Sequence, residues 1–263
     1  MIETTPTDCE KDLALIHLLE ELALNTWPAQ ITQRMSNWTL RAAKGITKRA
    51  NSVHAWGAIP AHTRWLEEIE GFYLRLSLPV HFHISPASDP GLVPQLLSNG
   101  YKEVTQTMLQ TAATSEVLTA TQKVSNWSSL TVERLSAPSE EWLDRYMEFE
   151  EFPAPRREFM KQLCAAIGPE SVHLLARVDG EAAGMATAVT ERGWTGLTNV
   201  ITSERFRRKG VGTAMLQAAA QWSDEKGAEG MYLQVLADND AALNLYAKAG
   251  FTKLYDYFYL VKE

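Results

Sequence analysis

Apolar and polar positions alternate along the chain with two periods, one helical and one extended. From Asp8 to Leu24, the residues Leu13, Ile16, Leu19, Leu22 and Ala23 recur at three- and four-residue steps, which predicts an amphipathic helix that stops before Pro28. Trp38–Ala42 predicts a strand, Gly45 a turn, and Lys48–Val53 a returning strand. Trp65, Ile69, Phe72 and Leu76 share one side of a helix over His62–Leu76, closed by Pro79. Val80–Ile84 then alternates as a half-buried strand, with His81 and His83 on one face.

The second half repeats this vocabulary. Leu130–Arg134 predicts a strand, and a helix from near Pro138 turns Trp142, Leu143, Tyr146 and Met147 inward. Pro153 and Pro155 break it, and Arg157–Ala166 forms the next helix. Val172–Val178 and Ala182–Val189 are strands joined by the hairpin turn Asp179-Gly180, and a third strand covers Trp194–Ile201. Ala112–Ser129, rich in Thr, Ser and Ala without apolar period, predicts a linker.

After the third strand comes Arg207-Arg208-Lys209-Gly210-Val211-Gly212-Thr213, running into an alanine-rich apolar helix. Glycines let a ligand approach the main chain, and a helix start offers unpaired N–H groups and the positive end of the dipole. The stretch is therefore an anion site suited to phosphate or pyrophosphate. A dinucleotide fingerprint would need glycine where Met215 stands, and a Walker loop would need Lys209 after the glycine rather than before it. Downstream lie a strand, Met231–Leu236, then Asn239, a short helix carrying Tyr246, and the exit Gly250-Phe251.

Arg-x-x-Gly-x-Gly followed by this strand, Asn, Tyr helix and Gly-aromatic exit resembles the GNAT acyltransferases. The resemblance covers about sixty residues near the C-terminus and implies an α/β (α+β) fold built on a mixed, mostly antiparallel sheet flanked by helices. It also implies acetyl-CoA as co-substrate and direct transfer of the acetyl group to an amine acceptor in a ternary complex. By the same resemblance, the N–H groups from Arg208 to Thr213 (thus Gly210, Val211 and Gly212) hold the pyrophosphate. Arg207, Arg208 and Lys209 add charge for the phosphates. Val200, Ile201 and Thr202 pair with the pantetheine arm, Asn239 reaches that arm or simply caps its helix, and Tyr246 contacts the thioester and protonates the departing thiolate as general acid. A packed aromatic is the alternative for Tyr246, and a fully paired core strand the alternative for Val200–Thr202. The strand before the loop holds no acid to serve as base. Glu150 is the candidate base or acceptor contact; with Glu148 and Glu151 it either attracts a cationic amine or solvates a helix end.

An internal repeat extends the resemblance. Gly91–Tyr101 imitates Ala241–Phe251 at an offset of 150 residues, with Gly100-Tyr101 on Gly250-Phe251 and Phe82 on Tyr232. The expected organisation is a degenerate GNAT-like module over 1–111, a linker over 112–129 and a catalytic module over 130–263. The first copy lacks the phosphate loop, and Leu96 stands where the second has Tyr246. A non-catalytic acyl-CoA sensor or scaffold is the alternative reading.

Composition narrows the rest. A 45% apolar share fits a chain with a real core, and a net charge of −7 does not suggest a nucleic-acid coat or an anionic membrane surface. No apolar run approaches a spanning length and the N-terminus is polar, so a cytoplasmic protein is expected, as monomer or homodimer. Cys9 and Cys164 stand far apart and read as reduced. His81 and His83 have no third ligand at metal spacing, so no metal is expected. His173 reads as core, and Cys164, in an apolar stripe, as inert. Arg41, Lys44, Lys48 and Arg49 read as an exposed strand pair, with an anionic acceptor as the alternative.

Overall fold

The computed structural model describes residues 8–122 and 129–262. In chain order the elements are α1 (Asp8–Thr26), β1 (Ile31–Met35), β2 (Trp38–Ala42), β3 (Val53–His54), α2 (Trp65–Arg75), β4 (Val80–Ile84), α3 (Leu92–Ser98) and β5 (Lys102–Ala113). There follow α4 (Thr114–Thr121), β6 (Leu130–Leu135), α5 (Glu140–Phe149), α6 (Pro155–Ala165), β7 (Glu170–Val178), β8 (Glu181–Glu191) and β9 (Trp194–Thr202). The chain closes with α7 (Val211–Glu225), β10 (Gly230–Leu236), α8 (Asp240–Lys248) and β11 (Thr252–Lys262). Among the described residues no helix is long and apolar enough to cross a membrane.

Two compact units emerge, one up to Met108 together with the chain from Tyr255 onward, the other Leu109–Leu254. In the first, the strand order is β1-β2-β3-β4-β11. Neighbours are antiparallel except β3 and β4, which run parallel. Its core packs Trp38, Trp65, Phe82 and Tyr101 edge to face with Ile69, Leu92 and Leu96. In the second unit the order is β10-β9-β8-β7-β6, antiparallel except for the parallel pair β9 and β10. Each unit is thus a mixed, mostly antiparallel sheet with helices, as the resemblance implied.

The offset repeat reaches the hydrogen bonds. Tyr101 N–H donates to Leu96 O (3.1 Å), and Phe251 N–H donates to Tyr246 O (3.0 Å). Gly100 and Gly250 both take left-handed φ, +85° and +95°, which ends α3 and α8 in the same way.

Several expectations are corrected. The boundaries differ from 1–111 and 130–263, because the last strand from Tyr255 belongs to the first unit, where Phe258–Lys262 pairs with β4. The linker expected over 112–129 begins as the end of β5 and the whole of α4; positions 123–128 lie outside the described residues. Two of its hydroxyls serve the interior, while Ser115 and Thr119 stay exposed. Thr114 Oγ1 donates to Ala228 O (2.7 Å), Thr121 Oγ1 to Val117 O (2.6 Å), and Val117 is fully buried where α4 packs on α7. The returning strand over Lys48–Val53 shrinks to a 3₁₀ turn at Lys48–Ala50 and the two residues of β3, while β1 takes the hairpin position against β2. Arg41 is not exposed: it is 2% accessible and donates to the carbonyls of Leu24, Trp27 and Arg49, stapling the end of α1 to the chain around it.

Candidate active site

The site forms where β9 leaves its parallel partner. β9 and β10 pair from Trp194↔Gly230 to Leu197↔Leu233, and no further register follows, although β9 runs on to Thr202 and β10 to Leu236. On its other edge β9 stays paired with β8, through Ile201↔Met185 and Thr202↔Gly184. A register shift between Met185 and Thr187 accommodates an extra β9 residue, and Asn199 there takes φ +53° with its amide on Thr187 Oγ1 (3.3 Å). Val200–Thr202 therefore turn one main-chain edge into an open slot.

The strand that backs this edge needs glycine. A Cβ at Gly184 would stand 2.8 Å from both the Ile201 carbonyl and Val211 Cγ1, so β8 can press β9 against the start of α7 only without a side chain there.

The start of α7 has no cap. Ser139 Oγ accepts from Trp142 N at the start of α5, and Asn239 Oδ1 from Ala242 N (3.1 Å) at α8, but Gly210 precedes α7 in the left-handed region (φ +82°) with no side-chain cap. The first main-chain bond of the helix is Ala214 N to Gly210 O (2.9 Å). Among the described residues the N–H groups of Val211, Gly212 and Thr213 have no main-chain acceptor outside the helix. They face a cleft of about 1040 Å³.

That cleft gathers Val200, Ile201, Thr202, Arg207, Arg208, Gly210, Val211, Gly212, Thr213, Asn239, Tyr246 and Glu150. Of the residues expected to hold the cofactor, Lys209 is not on its wall; its ammonium lies 5.2 Å from the ring of the buried Phe206, which anchors the loop. Arg207 is exposed and pairs with Glu204 (2.9 Å), a contact in high dielectric that a phosphate can replace. Leu245, which its spacing marks as core, is only half buried: it lines the cleft beside Gly212.

Tyr246 is 7% accessible, with its ring edge-on to Phe251 (5.9 Å). Burial pushes its phenol up to about 12, so it stays protonated at neutral pH. Glu150 is held above the usual carboxylate range by partial desolvation, against the opposing charges of Arg156 and Arg207.

A second cleft, of about 540 Å³, includes Glu148 and Phe149 from the end of α5 and Glu151 just after it. It carries five glutamates against three arginines and shares Glu204 with the first. Sequence reading missed both Glu204 and Gly184, whose roles depend on strands and loops distant in the chain.

His173 and Cys164 are core, as expected. Burial pushes the Cys164 thiol up to about 12, which leaves no thiolate at neutral pH; the side chain of Cys9 lies outside the described residues. His173 is 1% accessible, with Nδ1 3.2 Å from Thr187 Oγ1 and the Trp142 ring edge-on at 5.3 Å. Burial pushes its pKa down to about 4, against 6.5 for a solvated imidazole. Below pH 6.5 the unfolded chain binds a proton that the folded ring refuses. The resulting stability is complete above that pH and is lost as the pH falls toward 4, by up to about 3 kcal/mol. His173→Gln should flatten this part of a plot of urea midpoint against pH; an unaltered slope would refute the assignment.

Comparison with known proteins agrees with this geometry. Residues 14–260 match the family described as "Probable histone acetyltransferase Rv0428c C-terminal". An uncharacterized N-acetyltransferase of Bacillus subtilis, YobR, is 34% identical over 248 residues, covering 94% of this chain and 99% of that one. The chain belongs to the Rv0428c C-terminal family of GNAT acetyltransferases. A GCN5-related N-acetyltransferase from Kribbella flavida shares its fold (TM-score 0.69, 16% identity, 95% of each chain). So does a tandem GNAT protein from the clavulanic acid biosynthesis pathway (TM-score 0.68, 15% identity, 93% of this chain and 87% of that one). This GNAT protein is an acyltransferase enzyme, and the sensor alternative falls away.

Proposed function

We propose that the module containing α7 and α8 binds acetyl-CoA and transfers its acetyl group directly to an amine within a ternary complex. The carrying observation is the uncapped start of α7 opening into the slot between β9 and β10. The diphosphate takes the N–H groups of Val211, Gly212 and Thr213, with Arg207, Arg208 and Lys209 supplying positive charge. The pantetheine arm lies along Val200–Thr202 and makes the main-chain bonds that β10 leaves unmade, with Asn239 beside it. The N-terminal module, without this loop, binds no acetyl-CoA.

The acceptor enters from the acidic cleft that meets the first at Glu204. Its nitrogen attacks the thioester carbonyl carbon; the C–N bond forms and the C–S bond breaks. Glu150, on the wall of the cleft and with its pKa raised by desolvation, takes the ammonium proton directly or through water. The Tyr246 phenol gives its proton to the departing sulfur. The excess of carboxylates in the second cleft favours cationic acceptors such as polyamines, amino sugars, or protein N-termini and lysines.

Initial rates over a panel of such amines, with products identified by mass spectrometry, test the reading. Direct transfer gives intersecting double-reciprocal lines; parallel lines together with an acetylated protein would overturn it.

A further inference from the structure

The first unit repeats the strand geometry that opens the cleft in the second, with different chemistry at the apex. β9 and β10 last pair at Leu197↔Leu233, and β3 and β4 at His54↔His83. His83 stands 150 residues before Leu233, so the two histidines occupy the position where the other unit begins to part. Their rings lie nearly parallel, 16° apart with centres 4.4 Å from each other. Both nitrogens of each ring lack a hydrogen-bond partner among the described residues.

Glu20 reaches the same point from α1. It is 1% accessible, and neither carboxylate oxygen closes a hydrogen bond of good geometry, although Ser85, Trp56 and Tyr255 stand nearby. One ligand atom from each of Glu20, His54 and His83 lies within 4.8 Å of the others. Buried, unpaired polar atoms cost roughly 1–3 kcal/mol each, and such a concentration in a native core calls for a ligand.

We propose that Glu20, His54 and His83 bind one divalent first-row transition-metal ion, zinc foremost. Two imidazoles and one carboxylate form a borderline donor set suited to zinc. Donor atoms around a tetrahedral zinc stand about 3.3 Å apart at bond lengths of about 2.0–2.1 Å. Closing the cluster therefore needs side-chain shifts of about 1 Å. The rings of Tyr257 and Tyr259, centred 4.4 and 5.7 Å from that of His83, wall the site in apolar surface. Arg41 and Arg49 present opposing charge to His83, and Arg41 also to His54, so the negative carboxylate is the indispensable ligand. The role is structural: the ion ties α1 to β3 and β4. Pairing His81 with His83 along one strand could not reveal this, since His81 Nδ1 instead meets Asn51 O (3.0 Å) and the other ligands come from distant elements.

The test is a titration of the untagged, chelator-treated full chain with cobalt chloride, followed by zinc chloride. One cobalt per chain, visible ligand-field bands displaced by zinc, and a melting temperature raised by zinc are expected. Glu20→Gln and His83→Asn should each weaken cobalt binding by about tenfold or more. No bands and no effect of zinc on melting in the wild-type chain would overturn the proposal, whether or not the variants fold. Unchanged bands in both folded variants would overturn it as well, by reducing the ion to adventitious binding.

Discussion

Gly212→Val should weaken acetyl-CoA binding by about a hundredfold or more, which is ~2.7 kcal/mol, while far-UV circular dichroism stays that of the wild type. An ideal Cβ at Gly212 would lie 2.8 Å from Leu245 Cδ2, 3.5 Å from Cδ1 and 3.8 Å from Cγ. One methyl meets the free end of a flexible side chain, so Gly212→Ala should cost only a few-fold after Leu245 turns aside. Valine adds two methyls at the first turn of α7, beside the uncapped N–H groups proposed to grip the diphosphate, and pushes Leu245 into the cleft. Calorimetry on both variants checks the order. Equal affinity for wild type and Gly212→Val would place the phosphates elsewhere.

Tyr246→Phe should lower kcat by about a hundredfold and leave acetyl-CoA affinity within a few-fold of wild type. The substitution keeps the ring that meets Phe251 edge-on and removes only the hydroxyl. With the phenol pushed up to about 12, the proton is present throughout any practical assay range, so the defect should not vary between neutral and moderately alkaline pH. A variant with unchanged kcat would make Tyr246 a packing residue, the alternative its position on an amphipathic helix always allows.

The glycine turn before α7 was legible because its pattern is local. Arg207 to Thr213 are consecutive, and a helix start with no capping side chain follows directly from Gly210 and Gly212. The same holds for Asn239, Tyr246 and the Gly250 exit, where one short helix sets every spacing. Local pattern failed where distant chain decides the environment. Thr114 and Thr121 look solvated until Ala228 and Gln217 accept from their hydroxyls. Arg41 looks like a surface cation until the carbonyls of Leu24, Trp27 and Arg49 enclose it. Leu245 has core spacing, yet the surface it packs on is the missing side chain of Gly212. Gly184 carries no signal at all in its own strand, because the need for it comes from Ile201 and Val211. The opening between β9 and β10 was anticipated only by resemblance, since nothing in Leu197–Thr202 itself announces where pairing stops.

Titration of the full chain with acetyl-CoA in a calorimeter bears most directly on the proposal that one phosphate loop serves the whole chain. Heat saturating at one acetyl-CoA per chain is expected, with the N-terminal module silent. No heat, or saturation at two per chain, would contradict it.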